Sequence, residues 1–169
     1  MPFNSGFFLS EAAAVFAQEA SDGMLRQLRK EHESILANFE RASSKGNVSA
    51  ELVTQAQNVD WKLHNTLIDF LDNALIASSY RVNLLKLRIF RQEQTRLDER
   101  LVIPTMREHL AVLEGLETRD PRKAADAMAA HIHRARDRAR GPSPGAPERD
   151  GAREGICKAQ VIQTKQAIS

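Results

Sequence analysis

Residues 49–71 of this chain, SAELVTQAQNVDWKLHNTLIDFL, decide the fold. Positions spaced alternately by four and three residues lie on one side of an α-helix, and in this stretch that side is the one expected to face a core. That side consists of Val53, Gln57, Asp60, His64, Leu67 and Leu71. The stretch therefore predicts a helix that carries a carboxylate and an imidazole, one turn apart, on its core-facing side.

Helical patterns continue on both sides of this stretch, separated by Gly, Pro and short polar residues. We predict helices at about 8–20, 24–42, 49–71, 74–98, 104–117 and 121–140. Pro104 is expected to begin the fifth helix, and Asp120-Pro121 to cap and begin the sixth. Because no segment has the sustained alternation of a β-strand, the predicted fold class is all-α, an antiparallel bundle of about six helices.

The C-terminal residues 141–169 differ in composition, since they hold three of the six prolines and four of the eight glycines. A segment of this kind buries too little apolar surface to offset the entropy lost on ordering. We therefore predict a helical domain over 8–140 and a disordered tail over 141–169.

Composition and charge exclude several classes of protein. The 24 Lys and Arg nearly balance the 22 Asp and Glu, so the net charge of +2 gives no sign of a nucleic-acid or membrane surface. The single cysteine, Cys157, cannot form an internal disulfide. No apolar run approaches the ~20 residues that span a bilayer. We expect a soluble, cytoplasmic protein.

Histidines also interrupt the apolar stripes of the last two predicted helices, at His109 and His131. Together with Asp60 and His64 they place titratable groups from three helices toward one interior. Burying a polar group without a partner costs about 2–7 kcal/mol of folding free energy. One divalent ion bound by Asp60, His64, His109 and His131 would satisfy all of them, and such nitrogen and oxygen ligands suit Zn²⁺ first, or Ni²⁺ or Mn²⁺. Core residues that hydrogen-bond one another without a metal are the alternative.

The other histidines and the arginines of the last helix are interpreted differently. His32 belongs to the charged run RKEHE at 29–33, which we interpret as solvated, and His133 is turned away from His131 on its helix. We interpret Arg134, Arg136, Arg138 and Arg140 as the solvated basic end of that helix.

Several segments resemble the FCD domain, the C-terminal effector-binding domain of FadR-type regulators in the GntR family. Residues 60–67, DWKLHNTL, resemble its D-x-x-Φ-H-x-x-L motif, and DNAL at 72–75 resembles the break that follows it. The segments EHLAVLEGLETRD at 108–120 and AADAMAAHI at 124–132 resemble its closing motifs. AAAVFAQEAS at 12–21 is similar to its alanine-rich opening helix. The resemblance covers residues 8–140.

The resemblance implies a bundle whose cavity holds a metal ion on the positions of Asp60, His64, His109 and His131. It further implies a small organic acid as effector, a homodimer, and DNA contact through a winged-helix domain. Arg88 and then Arg91 are the candidates to pair with the carboxylate of the effector. The chain departs from the family pattern in its tail, in Ser5 where the family has an arginine, and in the few residues that precede the first helix. We expect a truncated or split regulator without its winged helix.

Two functions of other classes stay open from the sequence alone. A metal-dependent hydrolase would need an open metal position and a base of tuned pKa. Glu108 is next to a candidate ligand, but adjacency on a helix turns it away from the face of His109. A helical interaction module without metal is the second alternative. The function we expect first is an effector-sensing domain of a transcription regulator, for which we expect no enzymatic activity.

Overall fold

Six α-helices form the part of the chain that the computed structural model describes, residues 5–90 and 99–140. They are α1 (Ser5–Glu19), α2 (Asp22–Ser44), α3 (Ala50–Phe70), α4 (Ala74–Phe90), α5 (Glu99–Glu117) and α6 (Pro121–Arg140). These ranges contain no strand, so the predicted all-α helical bundle is confirmed. None of the described helices is long and apolar enough to cross a membrane.

Short polar side chains cap the N-termini of three helices, at boundaries that the sequence predicts. Ser21 Oγ accepts a hydrogen bond from the Met24 amide at 3.3 Å, and Ser49 Oγ accepts one from the Leu52 amide at 3.2 Å. Asp120 Oδ1 accepts one from the Arg122 amide at 2.9 Å, directly before Pro121 begins α6. Each contact satisfies an amide that the first helical turn leaves without a partner.

The start of α5 was predicted wrongly. The helix begins at Glu99 and contains Pro104, which was expected to be its first residue. Proline lacks an amide hydrogen and removes one bond within the helix. Val102 and Met106, on either side of Pro104, are fully buried. Burial of both apolar side chains offsets the lost bond, so packing carries the helix through the proline. The predicted end of the fourth helix, 91–98, lies outside the described residues.

Apolar side chains gather into two clusters, and the same three helices contribute to both. The first cluster includes Leu28 of α2, Leu67 of α3 and Leu113 of α5. The second includes Ile35, Phe39, Ala56, Val102 and Met106 of those helices. Along α2, α3 and α5, polar residues occupy the turn between the two clusters: His32, Asp60 and His109 respectively. The bundle therefore holds a polar layer between two apolar ones.

Backbone contacts divide the chain into two units, Met1–Ala139 and Arg140–Ser169. The six helices belong to the first unit up to Ala139. Residues 141–169 lie outside the described part of the chain. The tail therefore stays a prediction from composition.

Helices α5 and α6 approach each other closely at Gly115, which predicts a position that tolerates no larger side chain. A Cβ at this buried glycine would lie 3.1 Å from the Ala127 Cβ and 3.2 Å from the Lys123 carbonyl oxygen. The change Gly115→Val should therefore lower the free energy of unfolding by about 1–3 kcal/mol through overpacking, measured by denaturant titration of the metal-free protein.

Gly23→Val is the matched control, because a Cβ at Gly23 meets only Ser21 Oγ, at an ordinary 3.7 Å. Equal losses of stability in the two variants would contradict the close approach of the helices.

Candidate metal centre

Imidazoles from three helices converge in the polar layer. His109 Nε2 of α5 lies 3.2 Å from His131 Nε2 of α6, which lies 3.4 Å from His64 Nε2 of α3. His109 is fully buried and His131 is 3% exposed, while His64 is partly buried. One potential ligand atom of each ring lies within 4.8 Å of the others, a grouping that could hold one metal ion. Three of the four predicted ligands are thus brought together.

The fourth predicted ligand, Asp60, lies at the edge of this group. Its Oδ1 is 3.5 Å from His109 Nε2, and its Oδ2 accepts a hydrogen bond from Gln57 Nε2 at 3.2 Å. Asp60 is one helical turn before His64, so both side chains leave the same face of α3. Asp60 thus lies beside His109 but is not a member of the group of three histidines.

Removal from water governs the charges of this group. Burial, helped by the neighbouring His131 and His32, lowers the pKa of His64 to about 3. Burial also lowers the pKa of His109 well below its usual value. The same desolvation raises the pKa of Asp60 to about 7. Both imidazoles are therefore neutral at physiological pH, the form in which histidine binds metals.

Glu108 contacts the group through His131, at the ring nitrogen that does not face His109. Its Oε2 lies 3.0 Å from His131 Nδ1, and Arg138 donates to both of its oxygens at 2.6 and 3.0 Å. Arg134 Nε adds a contact of 3.2 Å to Oε1. Burial works to raise the pKa of Glu108, but the hydrogen bonds from His131 and Arg138 outweigh it and lower the pKa to about 2. Glu108 is therefore a fixed carboxylate that orients His131.

His32 was predicted wrongly, because its side chain is fully buried. Its Nδ1 lies 2.7 Å from the Leu28 carbonyl oxygen, and its Nε2 lies 3.1 Å from His109 Nδ1. Charged neighbours in sequence suggested a solvated residue. The spacing of the buried Leu25, Leu28, Ile35 and Phe39 nevertheless puts position 32 in the same stripe, three or four residues from its neighbours.

Arginines of α6 were also interpreted incompletely. Arg134 and Arg138 reach back to Glu108 instead of forming only a solvated end. Sequence patterns could not reveal this contact, because it depends on how α6 lies beside α5. The predicted effector-binding arginines are not placed: Arg91 lies outside the described residues, and so does the side chain of Arg88.

A groove between α2 and α3 lies away from the histidines. It encloses about 400 Å³ and is lined by polar residues that include Lys30, Ser34 and Asn58. No candidate ligand contributes to it. The groove therefore adds no residue to the candidate metal centre.

The raised pKa of Asp60 predicts a pH dependence for the metal-free protein. The folded state holds the proton more tightly than the unfolded chain, whose pKa is near the ordinary value of 3.8. The stability that protonated Asp60 contributes to the folded state is therefore fully present below about pH 4 and is lost as the pH rises through about 7. Because a pKa shift of about 3 units corresponds to about 4 kcal/mol, Asp60→Asn should exceed the chelator-treated parent in stability by about 4 kcal/mol at pH 8, and by less than about 1 kcal/mol at pH 4.

Denaturant titrations at both pH values measure this difference. Asp126→Asn is the control, because Asp126 is an exposed aspartate of α6. A difference between Asp60→Asn and the parent that stays constant from pH 4 to pH 8 would contradict the burial of an ionisable Asp60.

Comparison with known proteins gives one match and two negative results. The family model of the FCD domain matches residues 9–134. No curated protein and no solved structure shows significant similarity to the chain. The matched region begins in α1 and ends in α6, so it contains every element that contributes to the histidine group. With most of its length matched, the chain belongs to the FCD family, the effector-binding domains of GntR/FadR-type regulators.

Proposed function

We propose that this domain senses a small organic acid through a divalent metal ion bound by Asp60, His64, His109 and His131. The observation that carries the proposal is the convergence of three Nε2 atoms, with neighbouring separations of 3.2 and 3.4 Å. The conformational signal would pass to a winged-helix domain, which makes the contact with DNA. The regulator would act as a homodimer, as the family resemblance implies.

The spacing of the nitrogens supports a single ion. Two nitrogens bound at ~2.0–2.1 Å to one tetrahedral Zn²⁺ are about 3.3–3.4 Å apart. The separations of 3.2 and 3.4 Å fall close to this value. Hydrogen bonds alone satisfy the group poorly, since His64 Nδ1 is buried without a hydrogen-bond partner among the described residues. The residues present therefore fit a metal.

The type of ligand favours certain ions. Imidazole nitrogen and carboxylate oxygen suit Zn²⁺, which we assign first, and also Ni²⁺ and Mn²⁺. A divalent ion would keep Asp60 ionised and leave a net positive charge in the polar layer. That charge would attract and bind the carboxylate of an effector. Arg134 and Arg138 are already engaged by Glu108, so we retain Arg88 and Arg91 as candidates to pair with the other end of the effector.

The hydrolase is a weaker candidate, because the charged group next to the site is poorly suited to act as a base. Glu108 accepts hydrogen bonds from His131 and Arg138, and its pKa is about 2. A general base works best with a pKa near the operating pH. Glu108 is better suited to hold His131 in place than to remove a proton from water.

Metal content gives the direct test of the proposed site. The wild-type protein, purified and then loaded with Zn²⁺, should hold one ion per chain by elemental mass spectrometry. His131→Ala should weaken Zn²⁺ binding more than about 100-fold, because it removes a ligand rather than an outer partner, whose loss costs 10–100-fold. Competition with a chelator of known affinity measures the change.

His133→Ala is the matched control, because His133 is exposed and lies on the same helix two residues away. Stoichiometric Zn²⁺ in His131→Ala, or equal weakening in both variants, would contradict the site. Absence of metal uptake by the wild type would instead favour the helical interaction module.

Small carboxylic acids should stabilise the metal-loaded domain but not the chelator-treated one. At 100 times its Kd, a ligand specific for the folded state adds about 2.7 kcal/mol to the free energy of unfolding. A thermal-shift screen of mono-, di- and tricarboxylates with and without Zn²⁺ would measure this. The stabilising acid should also bind to the wild type but more weakly to Arg88→Ala.

The same samples test the remaining parts of the proposal. Sedimentation equilibrium should give the mass of two chains. Nuclear magnetic resonance spectra of the incubated acids should show no product. Equal stabilisation with and without Zn²⁺ would contradict a metal-bound effector, and turnover of the acid or of a simple ester would favour the hydrolase.

A further inference from the structure

His32 lies behind His109, on the side of that ring away from the other histidines. Its Nε2 is 3.1 Å from His109 Nδ1, whereas His109 Nε2 faces His131 at 3.2 Å. His32 is fully buried between these contacts and the Leu28 carbonyl. It belongs to α2, a helix that supplies none of the proposed ligands. The function proposed above therefore leaves a buried imidazole without a role.

The Leu28 carbonyl determines where the proton of His32 resides. A carbonyl oxygen only accepts hydrogen bonds, so at 2.7 Å the Nδ1 of His32 must donate. In the neutral ring the other nitrogen then carries no hydrogen and is an acceptor. The Nε2 of His32 is thus directed at His109 as a lone pair.

The tautomer of His32 determines the tautomer of His109. The only atom that can supply a hydrogen to the 3.1 Å contact is His109 Nδ1. His109 is then the Nδ1–H tautomer, and its Nε2 presents a lone pair to His64 and His131. Two hydrogen bonds in series, from His109 to His32 and from His32 to Leu28, set the ligand atom of His109.

His131 is oriented in the same way by a different group. The ionised Glu108 accepts at 3.0 Å from His131 Nδ1, so in the neutral ring the Nε2 of His131 also carries a lone pair. When both rings are neutral, the lone pairs of His109 and His131 therefore face each other at 3.2 Å, with no hydrogen of either ring between them. Such a contact between two neutral rings is repulsive unless a proton or a metal ion lies between the two nitrogens.

We propose that His32 is a positioning residue that holds His109 as the Nδ1–H tautomer, with its Nε2 lone pair directed at the site formed with His64 and His131. The inference rests on the proposed metal site and adds a partner to it. His32 itself cannot bind the same ion, because its Nε2 is occupied by His109 and lies on the far side of that ring. Outer partners of this kind keep a ligand ring in register and raise its basicity.

The test compares His32→Leu with His32→Gln. Leucine keeps an apolar side chain in the buried position but removes both hydrogen bonds, whereas glutamine retains an acceptor and a donor on one side chain. His32→Leu should weaken Zn²⁺ binding about 10–100-fold. The Zn²⁺ affinity of His32→Gln should remain within about threefold of the wild-type value, because the hydrogen-bonding partner of His109 is retained. Loss of such a partner weakens binding by at least about tenfold. His133→Leu is the matched control for loss of an imidazole, because His133 is exposed.

Tautomers provide a measurement that a purely structural role would not change. Two-bond ¹H–¹⁵N correlation spectra of the wild-type protein, metal-free and Zn²⁺-loaded, should show His32 and His109 as Nδ1–H forms. In metal-free His32→Leu the His109 ring should show a larger share of the Nε2–H form. The wild-type spectra need no variant, so they decide the assignment even if His32→Leu fails to fold.

The outcomes separate this inference from the function on which it rests. Normal Zn²⁺ affinity in folded His32→Leu, or an Nε2–H form of His109 in the wild type, would overturn the positioning role while wild-type Zn²⁺ binding upholds the site. A wild-type protein that binds no Zn²⁺ but shows both Nδ1–H forms would overturn the metal site and uphold the hydrogen-bonded series.

Discussion

Desolvation of the polar layer is the constraint on which the rest of the structure depends. The bundle buries His32, His109 and His131 between two apolar clusters that share α2, α3 and α5. A buried polar group is stable only when it finds a partner. The fold answers this demand with a carbonyl for His32 and a carboxylate for His131. The Nε2 atoms of His64, His109 and His131 are not engaged by these partners, and neighbouring atoms of this set lie 3.2 and 3.4 Å apart.

These nitrogens form the metal site proposed above, and they are also costly for the bundle to bury. Without a cation, burial raises the pKa of Asp60 to about 7, and His64 Nδ1 has no hydrogen-bond partner among the described residues. Groups that are costly to bury are the ones that gain most from a bound ion, because its charge replaces the lost hydration. In the proposed sensor, a bound ion would couple the stability of the bundle to the occupancy of this site. Such coupling would suit a member of the FCD family, whose domains bind effectors in regulators.

Local sequence predicted much of the fold because helix caps and stripes depend on near neighbours. Ser21, Ser49 and Asp120 each begin a helix through contacts within three residues. The stripe of α3 placed Asp60 and His64 on one side of the helix. Pro104 misled the prediction because its local penalty is offset by Val102 and Met106, which pack against other helices. His32 misled it because charged residues beside it in sequence concealed its place in the stripe of α2.

The sequence by itself determined the helices apart from the start of α5, the inner positions of His64, His109 and His131 and, through the FCD motifs, the family. Helical periodicity is a local property and can be derived from spacing alone. Only the tertiary structure decided which nitrogen meets which partner: Glu108 of α5 with His131 of α6, and His32 of α2 with His109 of α5. These contacts depend on the rotation and offset of packed helices, which no single helix encodes. A hydrogen bond requires its atoms to lie within a few tenths of an ångström of about 3 Å, and only the packing of the whole bundle sets distances to that accuracy.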